Sequence, residues 1–117
     1  MNRPSIRSAL PIQRYQYGNF QVVLLSQIET NDPVQYHYLL AFVEEGQQQP
    51  KLYVSAEKSR RSEAGQGSHR LHVIAEAFDE VIEISNRWQQ ADDFAKEALT
   101  IGAQLLSLSD ETPTRLG

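Results

Sequence analysis

The sequence predicts an α+β domain: an antiparallel β-meander of four to five strands followed by one long C-terminal α-helix packed across the sheet. Three observations lead there. Between Ile12 and Glu57, runs of β-branched and aromatic residues alternate with turn residues, the pattern of consecutive strands joined by hairpins. From Trp88 to Leu106 the apolar residues recur at helical spacing instead. With 117 residues, 40% of them hydrophobic, the chain supports one core rather than two. Residues 12–108 are expected to form that domain, between a disordered segment 1–11 and a flexible tail 109–117.

Ile12, Tyr15 and Tyr17 begin the first strand, and Gly18-Asn19 suits a two-residue hairpin turn. In the next run Phe20, Val22, Leu24 and Ile28 are expected on one face, with Val23 and Leu25 on the other. Asn31-Asp32-Pro33 is a turn. It leads into a long strand, Val34 to Glu44, in which Val34, Tyr36, Tyr38, Leu40 and Phe42 share a face and Leu39, Ala41 and Val43 oppose them. Glu45 to Pro50 is again turn chemistry, after which Leu52, Val54 and Ala56 alternate with Lys51, Tyr53 and Ser55. The polar, glycine-bearing stretch Lys58–Ser68 is expected to be an exposed loop. Beyond it, Leu71, Val73, Ala75 and Ala77 fit one face of a strand, while Leu71, Ile74, Phe78, Val81 and Ile82 fit a helical stripe. A strand to about Ala75 is preferred, because it gives Lys51–Glu57 a sequential partner. In the C-terminal helix Trp88, Phe94, Ala98 and Leu105 mark the apolar face, and Asp92 and Asp93 sit near the positive end of the dipole. In element order alone this resembles the single-stranded-DNA-binding transcriptional coactivators and their plant Whirly relatives. No sequence motif of that family stands here, and no residue role is taken from it.

Charge narrows the function classes. Eleven Lys and Arg against fifteen Asp and Glu give a net charge of -4, which disfavours nucleic acid as a partner. The charges are segregated: residues 1–28 hold Arg3, Arg7 and Arg14 and no acid, and residues 51–70 hold Lys51, Lys58, Arg60, Arg61 and Arg70 against Glu57 and Glu63. Such blocks either gather into one basic surface or pair across neighbouring strands. With no cysteine, disulfides, thiolate metal sites and cysteine nucleophiles are excluded. No apolar run approaches the roughly 20 residues of a membrane span, and residues 1–11 lack a signal-peptide core, so no membrane partner and a cytoplasmic location are expected.

The chemistry-bearing residue types form no strong constellation. His37, His69 and His72 would need a carboxylate to make a zinc site, and no metal or other cofactor is expected. The pairs Glu44-Glu45, Asp79-Glu80 and Asp92-Asp93 fall in turns and at a helix start, where adjacent carboxylates stay solvated. Gly65-Gln66-Gly67 lacks the strand before it and helix after it that a phosphate cradle requires.

The leading functional expectation is a small non-enzymatic interaction module, acting as a homodimer and binding another protein. It follows from counting faces. One helix covers one side of the sheet, leaving Val23, Leu25, Leu39 and Val43 as an apolar patch that a two-fold partner would cover. A second helix over residues 76–87 is the competing cover. The alternative is a single-stranded nucleic-acid binder in which Lys58, Arg60, Arg61 and Arg70 neutralise phosphates and Tyr36 and Tyr38 stack bases. A small-ligand carrier or enzyme with a pocket between sheet and helix is the third reading.

Overall fold

The computed structural model describes residues 2–116. Met1 and Gly117, the outermost residues of the segments expected to be disordered and flexible, lie outside the described residues. The elements are β1 (Ile6–Tyr17), β2 (Phe20–Thr30), β3 (Tyr36–Glu44), β4 (Leu52–Lys58), β5 (His69–Ala75), β6 (Phe78–Ser85), α1 (Ala91–Leu105) and β7 (Thr114–Leu116). One antiparallel sheet takes them in the order β6-β5-β4-β3-β2-β1-β7. The chain is therefore α+β, a meander with a C-terminal helix, but with seven strands rather than four to five.

Each added strand has a local cause. The turn Glu76-Ala77 is tight enough to fold residues 78–85 back onto β5, so the helix considered for 76–87 is an edge strand instead. A register shift between Leu71 and His72 leaves Ile82 as an extra residue opposite that step. The bulge breaks the period-2 pattern that would have marked β6 in the sequence. Ile6–Pro11, expected to precede the ordered domain, pair with Leu25–Thr30 across two register shifts. Thr114–Leu116, from the expected tail, pair with Arg14–Gln16.

At the β1–β2 turn Gly18 has φ 57, the first central position of a II′ hairpin turn, where glycine avoids a Cβ penalty. The helix face of the sheet is built from Tyr15, Val22, Leu24, Leu40, Phe42, Val54, Leu71 and Val73, which bury Phe94, Ala98 and Ala103 of α1 against them. Contact is closest where Gly102 of α1 meets the ring of Phe42. Asp92 and Asp93 occupy the first turn of α1. Beyond its end, Ser107 at φ 59 turns the chain so that Leu108 N–H donates to Ala103 O at 2.7 Å, a left-handed helix stop. Trp88, placed in the helix by its spacing, precedes it. Trp88 is fully buried, and its Nε1 donates to Glu97 Oε2 at 2.6 Å.

Two faces expected to be uniform are not. Gln27 adopts φ 48, and Ile28 falls into the cluster on the face away from α1. At the neighbouring level of β3 the register shifts between Tyr36 and Tyr38. Tyr36 therefore joins the second face with Ile28, while Tyr38 stays on the helix face and stacks on Phe94 with ring centroids 5.7 Å apart.

The second face is covered from within the chain. Leu39, Ala41, Tyr53 and Ile74 are buried there with Ile6, Leu25, Ile28 and Tyr36 packed against them. Residues 2–6 cross this face. The Arg3 guanidinium donates to Pro50 O at 2.6 Å and to Tyr53 Oη at 3.3 Å and lies 6.0 Å from the Tyr53 ring centroid. Ser5 N–H donates to Asp32 Oδ2 at 2.9 Å.

Candidate functional site

Strand alternation places Tyr53, Ser55 and Glu57 of β4 on the second face, opposite Ile74, His72 and Arg70 of β5 in that register. Asp79 of β6 stands beside Ile74. A row of ionisable groups results. Glu57 is 1% exposed and Arg70 6%, and such burial is tolerable only with close partners. Ser55 Oγ donates to Glu57 Oε2 at 2.9 Å, and His72 Nδ1 lies 2.7 Å from the same oxygen. The other ring nitrogen, Nε2, lies 2.5 Å from Asp79 Oδ1. Arg70 reaches Glu57 Oε1 at 3.4 Å and Glu63 Oε1 at 3.5 Å.

The electrostatics follow from these contacts. The hydrogen bond to Glu57 raises the pKa of His72 above its ordinary 6.5, against the opposing effect of burial, and Asp79 adds to the rise. The hydrogen bond from His72 lowers that of Asp79. Burial first, and then the hydrogen bond to Asp32, pushes the Tyr36 phenol up from 10.0, so it stays protonated. Ser55 is 1% exposed and already donates to Glu57. The row thus cross-links β4, β5 and β6 and offers no accessible nucleophile.

At the β2–β3 end an open groove of about 580 Å³ is lined by Thr30, Asp32, Tyr36, His37, Lys58 and His69, among others. His37 and His69 stack with centroids 4.8 Å apart. His69 Nδ1 lies 2.9 Å from Ser68 Oγ, and His37 Nε2 lies 3.3 Å from Gln89 O, to which it donates. Burial, then the charges of His37 and Lys58, lower the pKa of His69. His72 is on the opposite face, so the three histidines do not converge. Among the described residues no three His, Asp or Glu side chains form a group that could hold a metal ion.

The six residues considered for nucleic acid are divided by the fold. Lys58, Arg60 and Arg61 are exposed and have no carboxylate partner among the described residues. Arg70 is buried between Glu57 and Glu63, where no phosphate can reach it. Tyr36 and Tyr38 face opposite sides of the sheet and form no common stacking platform. Part of the charge pairs between elements, as in Arg7–Glu29, Lys51–Glu44 and Arg70–Glu57, and β2 and β3 separate the basic N-terminal strand from the basic β4–β5 region.

The apolar patch is also redrawn. Leu39 is 1% exposed, covered within the single chain, and so leaves the candidate interface. Val23, Leu25 and Val43 remain half-buried. Apolar side chains are also exposed on the neighbouring strands β1 and β7: Leu10 at 46%, Ile12 at 40% and Leu116 at 38% exposure. Arg14 pairs with both Val23 and Leu116, which puts Leu116 on the face of Val23 at the β1–β2–β7 end of the sheet, whereas Leu10, paired with Ser26, points from the opposite face. Leu10 and Leu116 fall in the segments expected to be disordered and flexible, so strand patterning assigned them no face. The chain matches no protein-family model, no curated protein and no solved structure.

Proposed function

We propose that this chain is a non-enzymatic interaction module that pairs with a second copy of itself through the β1–β2–β7 end of its sheet. One observation carries the reading: Val23, Leu25 and Val43 are half-buried on the second face, and the exposed Leu116 shares that face through its pairing with Arg14, the register partner of Val23. Partly exposed apolar surface of this kind marks association sites, and symmetric pairing is the commonest way to cover it. The contact is by face rather than by strand addition. β1 carries Pro11 and three register shifts along its open part, features that deter pairing of an edge with another chain. Among the described residues no helix is long and apolar enough to cross a membrane.

Light scattering at micromolar concentration tests this. A mass of about twice 13.3 kDa is expected. Val23→Lys with Leu25→Lys returns the single-chain mass while far-ultraviolet circular dichroism is unchanged, and Ile82→Lys, on the opposite edge strand, leaves the dimer intact. A wild-type mass of 13.3 kDa rejects the proposal.

A further inference from the structure

We propose that His72 is a pH-operated latch: as an imidazolium it ties β4, β6 and the N-terminal segment 2–6 together over the second face, and on losing its proton it lets Asp79 and that segment go.

The geometry requires the charged ring. Nδ1 faces Glu57 Oε2 at 2.7 Å and Nε2 faces Asp79 Oδ1 at 2.5 Å. A neutral imidazole has one N–H to donate, so its second nitrogen would set a lone pair against a carboxylate. The two carboxylates are not equally free to leave. Glu57 has a side chain 2% exposed, accepts from Ser55 Oγ and stands beside Arg70. Asp79 is on an edge strand with its side chain 41% exposed, and water can replace the imidazole there. Asn2 lies close enough to Asp79 to help lower its pKa, next to the Arg3 that bridges Pro50 and Tyr53. Release of Asp79 therefore loosens the end of the cover over Leu39, Ala41, Tyr53 and Ile74.

The groups facing the latch are Glu57 from β4, Asp79 from β6, Arg70 from β5 with Glu63 behind it, Tyr36 from β3 and Arg3 from the N-terminal segment. Carboxylate, phenol and guanidinium side chains ordinarily titrate outside pH 5 to 8, whereas histidine and the α-amino group, whose charge also acts on Asp79, titrate within it. The His72→Gln variant separates these two. Because the hydrogen bonds raise the pKa of His72 above 6.5, the latch is complete below about 6.5 and is lost as pH rises through the raised folded value.

Amide hydrogen exchange, expressed relative to intrinsic rates, reads this directly. Between pH 5.5 and pH 9, protection in segment 2–6 and in β6 is expected to fall by about tenfold, while α1 holds its protection. In His72→Gln that protection is low at both pH values, and His69→Gln keeps the wild-type profile. Should His72→Gln fail to fold, Asp79→Asn is the second test, with segment 2–6 unprotected at both pH values. Protection that is flat with pH in the wild type, or a wild-type profile in either His72→Gln or Asp79→Asn, overturns the proposal.

Discussion

Gly102→Ala sets helix propensity against packing, and the structure says which wins. Gly102 is on the buried side of α1, where an added Cβ would lie 2.6 and 2.7 Å from Cε1 and Cε2 of Phe42 and closer still to Cζ. Carbon atoms rest about 3.5–4.0 Å apart, so the helix or the ring must move by roughly 1 Å. The ring has little room to move. Phe42 is fully buried and lies between its register partners Val22 and Leu52, themselves buried. Overpacking a filled core costs about 1–3 kcal/mol, and this overlap belongs at the top of that range. Replacing glycine by alanine within a helix returns about 1 kcal/mol. The expected net loss is about 2 kcal/mol; with a urea m-value of about 2 kcal/mol/M this lowers the midpoint by about 1 M. Phe42→Leu makes room for the new methyl, so in a double-mutant cycle the pair should be coupled by about 1 kcal/mol or more. A Gly102→Ala midpoint at or above wild type, as propensity alone would produce, refutes the reasoning. So does a Phe42→Leu cost that is equal in both backgrounds.

Phe94 is fully buried and stacks on Tyr38, so Phe94→Ala should cost about 3–5 kcal/mol in chemical denaturation; a loss below about 1 kcal/mol would place the ring outside the core. Limited trypsin digestion should cut first after Lys58, Arg60 or Arg61, which are exposed in and beside the loop, and spare Arg70, buried between two glutamates. Earlier cleavage at Lys51 or Arg87 would contradict that order.

Local patterning determined much of this chain. The alternation of Leu52, Val54 and Ala56 with Tyr53 and Ser55, the Gly18 turn and the apolar stripe through Phe94, Ala98 and Gly102 each depend on near neighbours in sequence. Each appears in the structure as read. What tertiary structure decided depends on residues far apart. Tyr36 and Ile28 changed faces because β2 and β3 are irregular at neighbouring levels, and one displaced residue inverts every side chain beyond it. β6 was masked by a bulge and by its acids, which an edge strand leaves to solvent as readily as a helix does. Arg70 looked like a free cation in a basic stretch, yet pairing of β4 with β5 set it against Glu57. The second face was expected to be bare because periodicity counts sides of a strand and says nothing about what folds over them. Ile6 and Arg3 fold over it, reaching Tyr53, fifty positions from Arg3 in the chain, and nothing in residues 1–11 alone encodes that contact.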